Sequence, residues 1–142
     1  NKTTVYTHGP AGMTSLTAVL TGGGGQTTAW EYGVTRATGS GVDSNDVVRA
    51  TRWPDPATGA ASATERDRVK VNALGQVVEA TDRNGTTHAL AYDVLGRVTA
   101  DAVTALGGGV DGAVRRIETG YDGQGNVALA TSYDAAAGGA VM

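Results

Sequence analysis

Two histidines, His8 and His88, are the only imidazoles in this chain of 142 residues, and cysteine is absent. A hydrolytic triad needs a nucleophile, a base and an orienting acid held together. His8 stands at a Gly-Pro turn, and His88 alternates with Leu90 and Tyr92 along one face of an extended run. Both positions suit wall residues better than bases. Ser15, Ser40, Ser44, Ser62 and Ser132 lie in no nucleophile-elbow sequence. Without cysteine there is neither disulfide nor thiol chemistry, and His and Asp never cluster at zinc-ligand spacing. Asp43-Ser44-Asn45-Asp46 brings oxygens close together, as a calcium ion requires, but lacks the rest of a calcium loop and reads as a solvated turn. Gly22–Gly25 is not followed by the Lys-Ser/Thr of a phosphate loop. These residues predict no enzyme, no metal and no cofactor.

What does recur is turn chemistry. In Tyr92-Asp93-Val94-Leu95-Gly96, Asp93 can fold its carboxylate back onto backbone N–H groups. Gly96 can take a positive φ, where a Cβ clashes. Tyr92 can lay its ring on a neighbouring strand and keep its hydroxyl near water. Tyr121-Asp122-Gly123-Gln124-Gly125 repeats the frame in full. Val71-Asn72-Ala73-Leu74-Gly75 keeps the turn, and Asn72 in place of Asp marks the position as an acceptor rather than an essential acid. His8-Gly9-Pro10-Ala11-Gly12 is a worn copy with His8 at the tyrosine position and Tyr6 two residues earlier. Tyr133-Asp134 opens another, stretched by Ala135–Gly139.

Around these turns the chain reads as strands. Period-two stripes run through Val69 and Val71; His88, Leu90 and Tyr92; Ile117, Thr119 and Tyr121; and Val127, Leu129, Thr131 and Tyr133. Lys2–Thr7 and Met13–Leu20 flank the first turn as a hairpin. Asp82-Arg83-Asn84-Gly85 reads as a hairpin turn in which Asn-Gly supplies positive φ. Gly22–Gly25 is a flexible break, and a few residues of helix fit Asp134–Gly138. Residues 33–65 are the least regular. There Val47–Trp53 reads as a strand that Trp53-Pro54-Asp55-Pro56 must leave, and Ala57–Thr64 as a surface loop. The expected layout is degenerate hairpins over 1–32, an irregular insertion or long loop over 33–65, and regular hairpins over 66–142.

Composition agrees with a thin sheet. Aromatics make up 5%, phenylalanine is absent and there are 22 glycines. Few large side chains exist to fill a thick interior. A net charge of −3 offers no basic stripe for nucleic acid, and no apolar run is long enough to span a bilayer as a helix.

The recurrent motif, close to Tyr-x-Tyr-Asp-x-x-Gly-Arg-hydrophobic, resembles the Rhs or YD-repeat family, strongly over 66–134 and more weakly over 1–35. The resemblance implies an all-β fold: successive antiparallel hairpins forming a curling sheet, a segment of a shell, spiral or tube. In large relatives such a shell surrounds a toxic C-terminal domain or forms a surface adhesion module. Self-cleaving relatives carry an aspartyl protease segment, which nothing here matches. The structural residues are then Tyr92, Asp93, Gly96, Tyr121, Asp122, Gly125, Asn72 and Gly75.

The expected function is structural, as part of an exported bacterial protein, secreted or at the cell surface. Its partners are further copies of itself or the rest of a longer repeat chain. Asn1 at the start and the strand-like Ala140-Val141-Met142 at the end suggest a processed piece or an excerpt of such a protein. A second reading is a binding module, with Trp30, Tyr32 and Trp53 contacting surface glycans; a third is the wall of a toxin cocoon. Arg115-Arg116 reads as an exposed charged pair or a processing site. Asn1-Lys2-Thr3 and Asn84-Gly85-Thr86 have glycosylation spacing.

Overall fold

The structure, a computed structural model, describes residues 3–142; Asn1 and Lys2, from the first glycosylation pattern and the first strand, lie outside the described residues. Ten strands follow in order: β1 (Thr3–Gly9), β2 (Gly12–Val19), β3 (Gly25–Val34), β4 (Ser44–Pro54), β5 (Ala61–Val71), β6 (Val77–Thr81), β7 (Thr87–Tyr92), β8 (Val98–Ala105), β9 (Arg116–Tyr121) and β10 (Val127–Tyr133). One 3-10 turn, Arg36–Thr38, is the only helical element among the described residues. The chain forms two compact units, Asn1–Gly75 and Gln76–Met142. Within each, every strand pairs antiparallel with the next strand in the chain. The protein is all-β and built of successive antiparallel hairpins, as the sequence predicts.

Small and β-branched side chains hold these sheets together. Thr17 and Thr27 face each other across β2 and β3 with hydroxyls 2.9 Å apart, and Thr81 and Thr87 do the same across β6 and β7 at 3.0 Å. Such cross-strand pairs are the sheet's unit of cohesion. Among the described residues the buried apolar core is Val34, Ala50 and Val71. The loop between β3 and β4 folds back onto it. Ser40 Oγ accepts from the Val71 N–H at 3.2 Å, and the Gly41 N–H donates to the Val71 carbonyl at 2.6 Å. Gly41 is required here, because a Cβ would stand 2.7 Å from the backbone nitrogen of Ala73.

Three expectations need correcting. Residues 33–65 are not an irregular insertion: β4 fills Ser44–Pro54 and β5 begins at Ala61, leaving short connections at 35–43 and 55–60. The reason is a β-bulge. Tyr32 pairs with Val48 and Glu31 with Ala50, so Arg49 is an extra residue that breaks the period-two pattern. Pro54 closes β4 instead of leaving it, beside another register shift, where its missing N–H is tolerated. Finally, Asp134–Gly138 is a string of bends and not a helix. Gly138 and Gly139 take positive φ, and Asp134 Oδ1 accepts from the Ala140 N–H at 2.7 Å.

Candidate functional site

The turns at Asn72, Asp93 and Asp122 each carry a side-chain hook at the first residue. Asp93 Oδ1 accepts from the N–H groups of Leu95 and Arg97, at 2.9 and 3.0 Å. Gly96 sits at φ +82° and donates to the Asp93 carbonyl. Asp122 repeats this with Gln124 and Asn126 at 2.9 and 2.8 Å, and Gly125 sits at φ +91°. Asn72 accepts from the Leu74 N–H at 2.9 Å, with Gly75 at φ +81°.

A fourth hook escaped the sequence reading. Asp82 Oδ1 accepts from Asn84 and Thr86 at 2.8 and 2.9 Å, and Gly85 has φ +88°. No described residue other than glycine has a positive φ, so Asn84 does not adopt the conformation expected of an Asn-Gly hairpin. The Asp-x-x-Gly spacing was the available signal; Asn84-Gly85 and the missing tyrosine obscured it.

The tyrosines supply the links between turns. The Tyr121 hydroxyl donates to the Val98 carbonyl at 2.7 Å, just beyond the Asp93 turn. The Arg97 guanidinium lies 4.2 Å from the centre of the Tyr121 ring, and its Nη2 pairs with Asp93 Oδ2 at 2.7 Å. Asp93, Arg97 and Tyr121 therefore fasten one turn to the strand that leads into the next. Tyr92 donates to the Val77 carbonyl at 2.7 Å, and Tyr32 to that of Met13 at 3.1 Å. These hydroxyls are bonded to backbone and not left near water. Tyr133 departs from the pattern: it donates to Glu118 Oε2 and stacks on Arg116 at 3.9 Å.

The same bulge accompanies the two turn tyrosines, Tyr92 and Tyr121. Tyr92 pairs with Val98 and Ala91 with Ala100; Tyr121 pairs with Val127 and Gly120 with Leu129. In β1 the corresponding pairs are His8 with Met13 and Thr7 with Ser15, so His8 occupies the tyrosine register position.

The remaining candidates are dispersed. Trp30 faces Thr51, and Trp53, two residues along, shares that face of the first unit. Both indoles are half-buried, and Trp53 donates its N–H to Asp67 Oδ2 at 2.8 Å. His88 Nδ1 lies 2.7 Å from Asp101 Oδ1, and His8 is exposed on β1. Asp43, the last residue of the β3–β4 connection, accepts from the Arg36 N–H at 2.8 Å, and Ser44–Asp46 open β4 instead of forming the expected turn. Arg115 and Arg116 are not a free charged pair. Arg115 caps the Val103 carbonyl, and Arg116 lies on Tyr133.

The hooks carry a pH dependence. The backbone N–H of Arg97, reinforced by its guanidinium, holds the Asp93 carboxyl below its ordinary range; the Asn126 side chain and N–H do so for Asp122, and the Thr58 N–H and hydroxyl for Asp55. A carboxylate depressed in the folded state contributes its full stabilisation above its unfolded value, near pH 4, and loses it as the pH falls through the folded value. The thermal midpoint should therefore drop on acidification below about pH 4. Asp93→Asn, which keeps an acceptor as Asn72 does, should flatten that drop. An unchanged acid profile in the variant would show that the hook is not charge-linked.

A sheet of hairpins, with hooked corners and tyrosine ties from strand to strand, defines a structural β-repeat protein. Residues 71–108 match the family model described as RHS Repeat, a stretch that holds the Asn72, Asp82 and Asp93 turns together with Tyr92. Over those residues the chain carries an RHS-type repeat. No curated protein matches it.

Proposed function

We propose that this chain is a length of wall in an exported YD-repeat protein, a shell, surface fibre or tube whose work is done by the sheet itself. The observation that carries this reading is the Asp93–Arg97–Tyr121 link, which spends its most specific side chains on joining neighbouring hairpins. Rhs repeats form a structural repeat family rather than an enzyme family, and proteins that carry them are generally extracellular or at the cell surface. Among the described residues no helix is long and apolar enough to cross a membrane. Electron microscopy of the protein isolated from the cells that make it should show a continuous shell, fibre or tube. Dispersed small particles that turn over a substrate would overturn the reading. If the wall is a cocoon, a toxic domain lies inside it.

A second reading rests on Trp30 and Trp53 sharing one sheet face. Paired indoles offer flat apolar surface to sugar rings, and glycan-array binding lost in Trp53→Ala would support a surface-glycan partner.

A further inference from the structure

We infer that one face of the Asn1–Gly75 unit binds an acidic polysaccharide, gripping its carboxylates with Arg66 and Arg68. This goes beyond the wall reading and does not depend on it.

The inference begins from two neighbouring cross-strand rows. Across β3, β4 and β5 the register sets Glu31, Ala50 and Arg68 side by side, and Ala29, Arg52 and Arg66 next to them. Arg49, the bulge residue, reaches the same face, because its guanidinium lies 3.3 Å from Glu31. The guanidiniums of Arg49, Arg52, Arg66 and Arg68 thus gather around the Glu31 carboxylate. Composition hides this patch, since the whole chain carries a net charge of −3. Arg52 and Arg66 stand directly opposite each other, a pairing of like charges that destabilises a sheet. A local rule broken with no structural return points to function.

Hydrogen bonding divides these arginines into two sets. Arg52 is fixed: its Nε and Nη2 donate to the Ser62 and Ala61 carbonyls at 2.7 and 2.8 Å, and its Nη1 lies 3.8 Å from Glu31 Oε1. Arg49 takes Glu31 Oε2, so both oxygens of that carboxylate are engaged. Arg66 and Arg68 have no hydrogen-bond or ion-pair partner among the described residues. Arg68 is exposed and Arg66 half-buried. Their planar forks match carboxylates bidentately. Two residues apart on one strand, they stand about 7 Å from each other, a spacing that suits successive acid groups of one chain.

The face also selects among polyanions. Ala29 and Ala50 leave flat ground between the cations, and these rows hold no aromatic ring on which a nucleic-acid base would stack. β4, at the centre of the patch, is paired on both sides, so its backbone offers an acidic peptide no ladder to join. A uronic-acid chain needs neither a stacking platform nor a free strand edge.

Titration calorimetry of the full chain with polygalacturonate, and with dextran as the neutral comparison, tests this. Polygalacturonate should bind at low salt and weaken as salt is added, because the contacts are exposed charge pairs, and dextran should not bind. Arg66→Gln and Arg68→Gln should each weaken binding about tenfold, whereas Arg83→Gln, in the Asp82 turn of the other unit, should leave it unchanged. Arg66→Gln should also leave the urea midpoint of the free protein unchanged or raised, since it relieves the repulsion with Arg52. No binding of polygalacturonate at low salt, equal binding of dextran, or binding indifferent to both substitutions would each overturn the inference. So would a midpoint lowered by Arg66→Gln, or duplex DNA that binds more tightly through the same arginines.

Discussion

Tyr121→Ala is expected to destabilise the Gln76–Met142 unit by about 3 kcal/mol. Three losses combine. The ring is half-buried, and removing it strips apolar contact from a sheet with little to spare. The hydroxyl's bond to the Val98 carbonyl contributes about 1 kcal/mol. The stack on Arg97, itself held by Asp93, adds roughly 0.5–1 kcal/mol. Tyr121→Phe keeps the ring and the stack and should lose only about 1 kcal/mol. Denaturant titration gives the totals. Hydrogen exchange should show protection falling first at the start of β8 and along β9, where the tie is made. If the alanine variant is no worse than the phenylalanine variant, the ring is not a link between turns.

Gly59→Ala should lose about 3 kcal/mol from the Asn1–Gly75 unit. Gly59 has φ +72°, a conformation that costs an L-residue about 1–2 kcal/mol. A Cβ there would also meet the Gly25 carbonyl oxygen, because the β4–β5 connection lies against the start of β3. The Gly59 carbonyl accepts from the Thr27 N–H at 2.8 Å, so the methyl group has to push apart two backbones that are bonded to each other. Overpacking of that kind costs about 1–3 kcal/mol. Gly85→Ala is the control. Gly85 has φ +88° but open space where its Cβ would stand, so only the conformational cost applies, about 1–2 kcal/mol. Equal losses at the two glycines, read from urea midpoints, would remove the close approach as a cause.

The corners were legible from the chain alone. An Asp or Asn, two free positions and a glycine form a device complete within five residues, and its hydrogen bonds depend on nothing farther away. That is why the turns at Asn72, Asp93 and Asp122 were found where the structure places them, and why Asp82, with the same spacing, was within reach. β4 was harder, because the bulge at Arg49 shifts the alternation out of phase halfway along the strand.

The amino-acid sequence by itself determined where this backbone reverses and that strands lie between the reversals, because both follow from contacts among near neighbours. Only the tertiary structure decided that the hydroxyls of Tyr32, Tyr92 and Tyr121 bond backbone carbonyls of the preceding strand, that Arg97 lies under Tyr121, and that His8 shares the tyrosine register. Those relations join residues 5 to 24 positions apart in the chain. They depend on strand pairing and bulge placement, which no local pattern encodes.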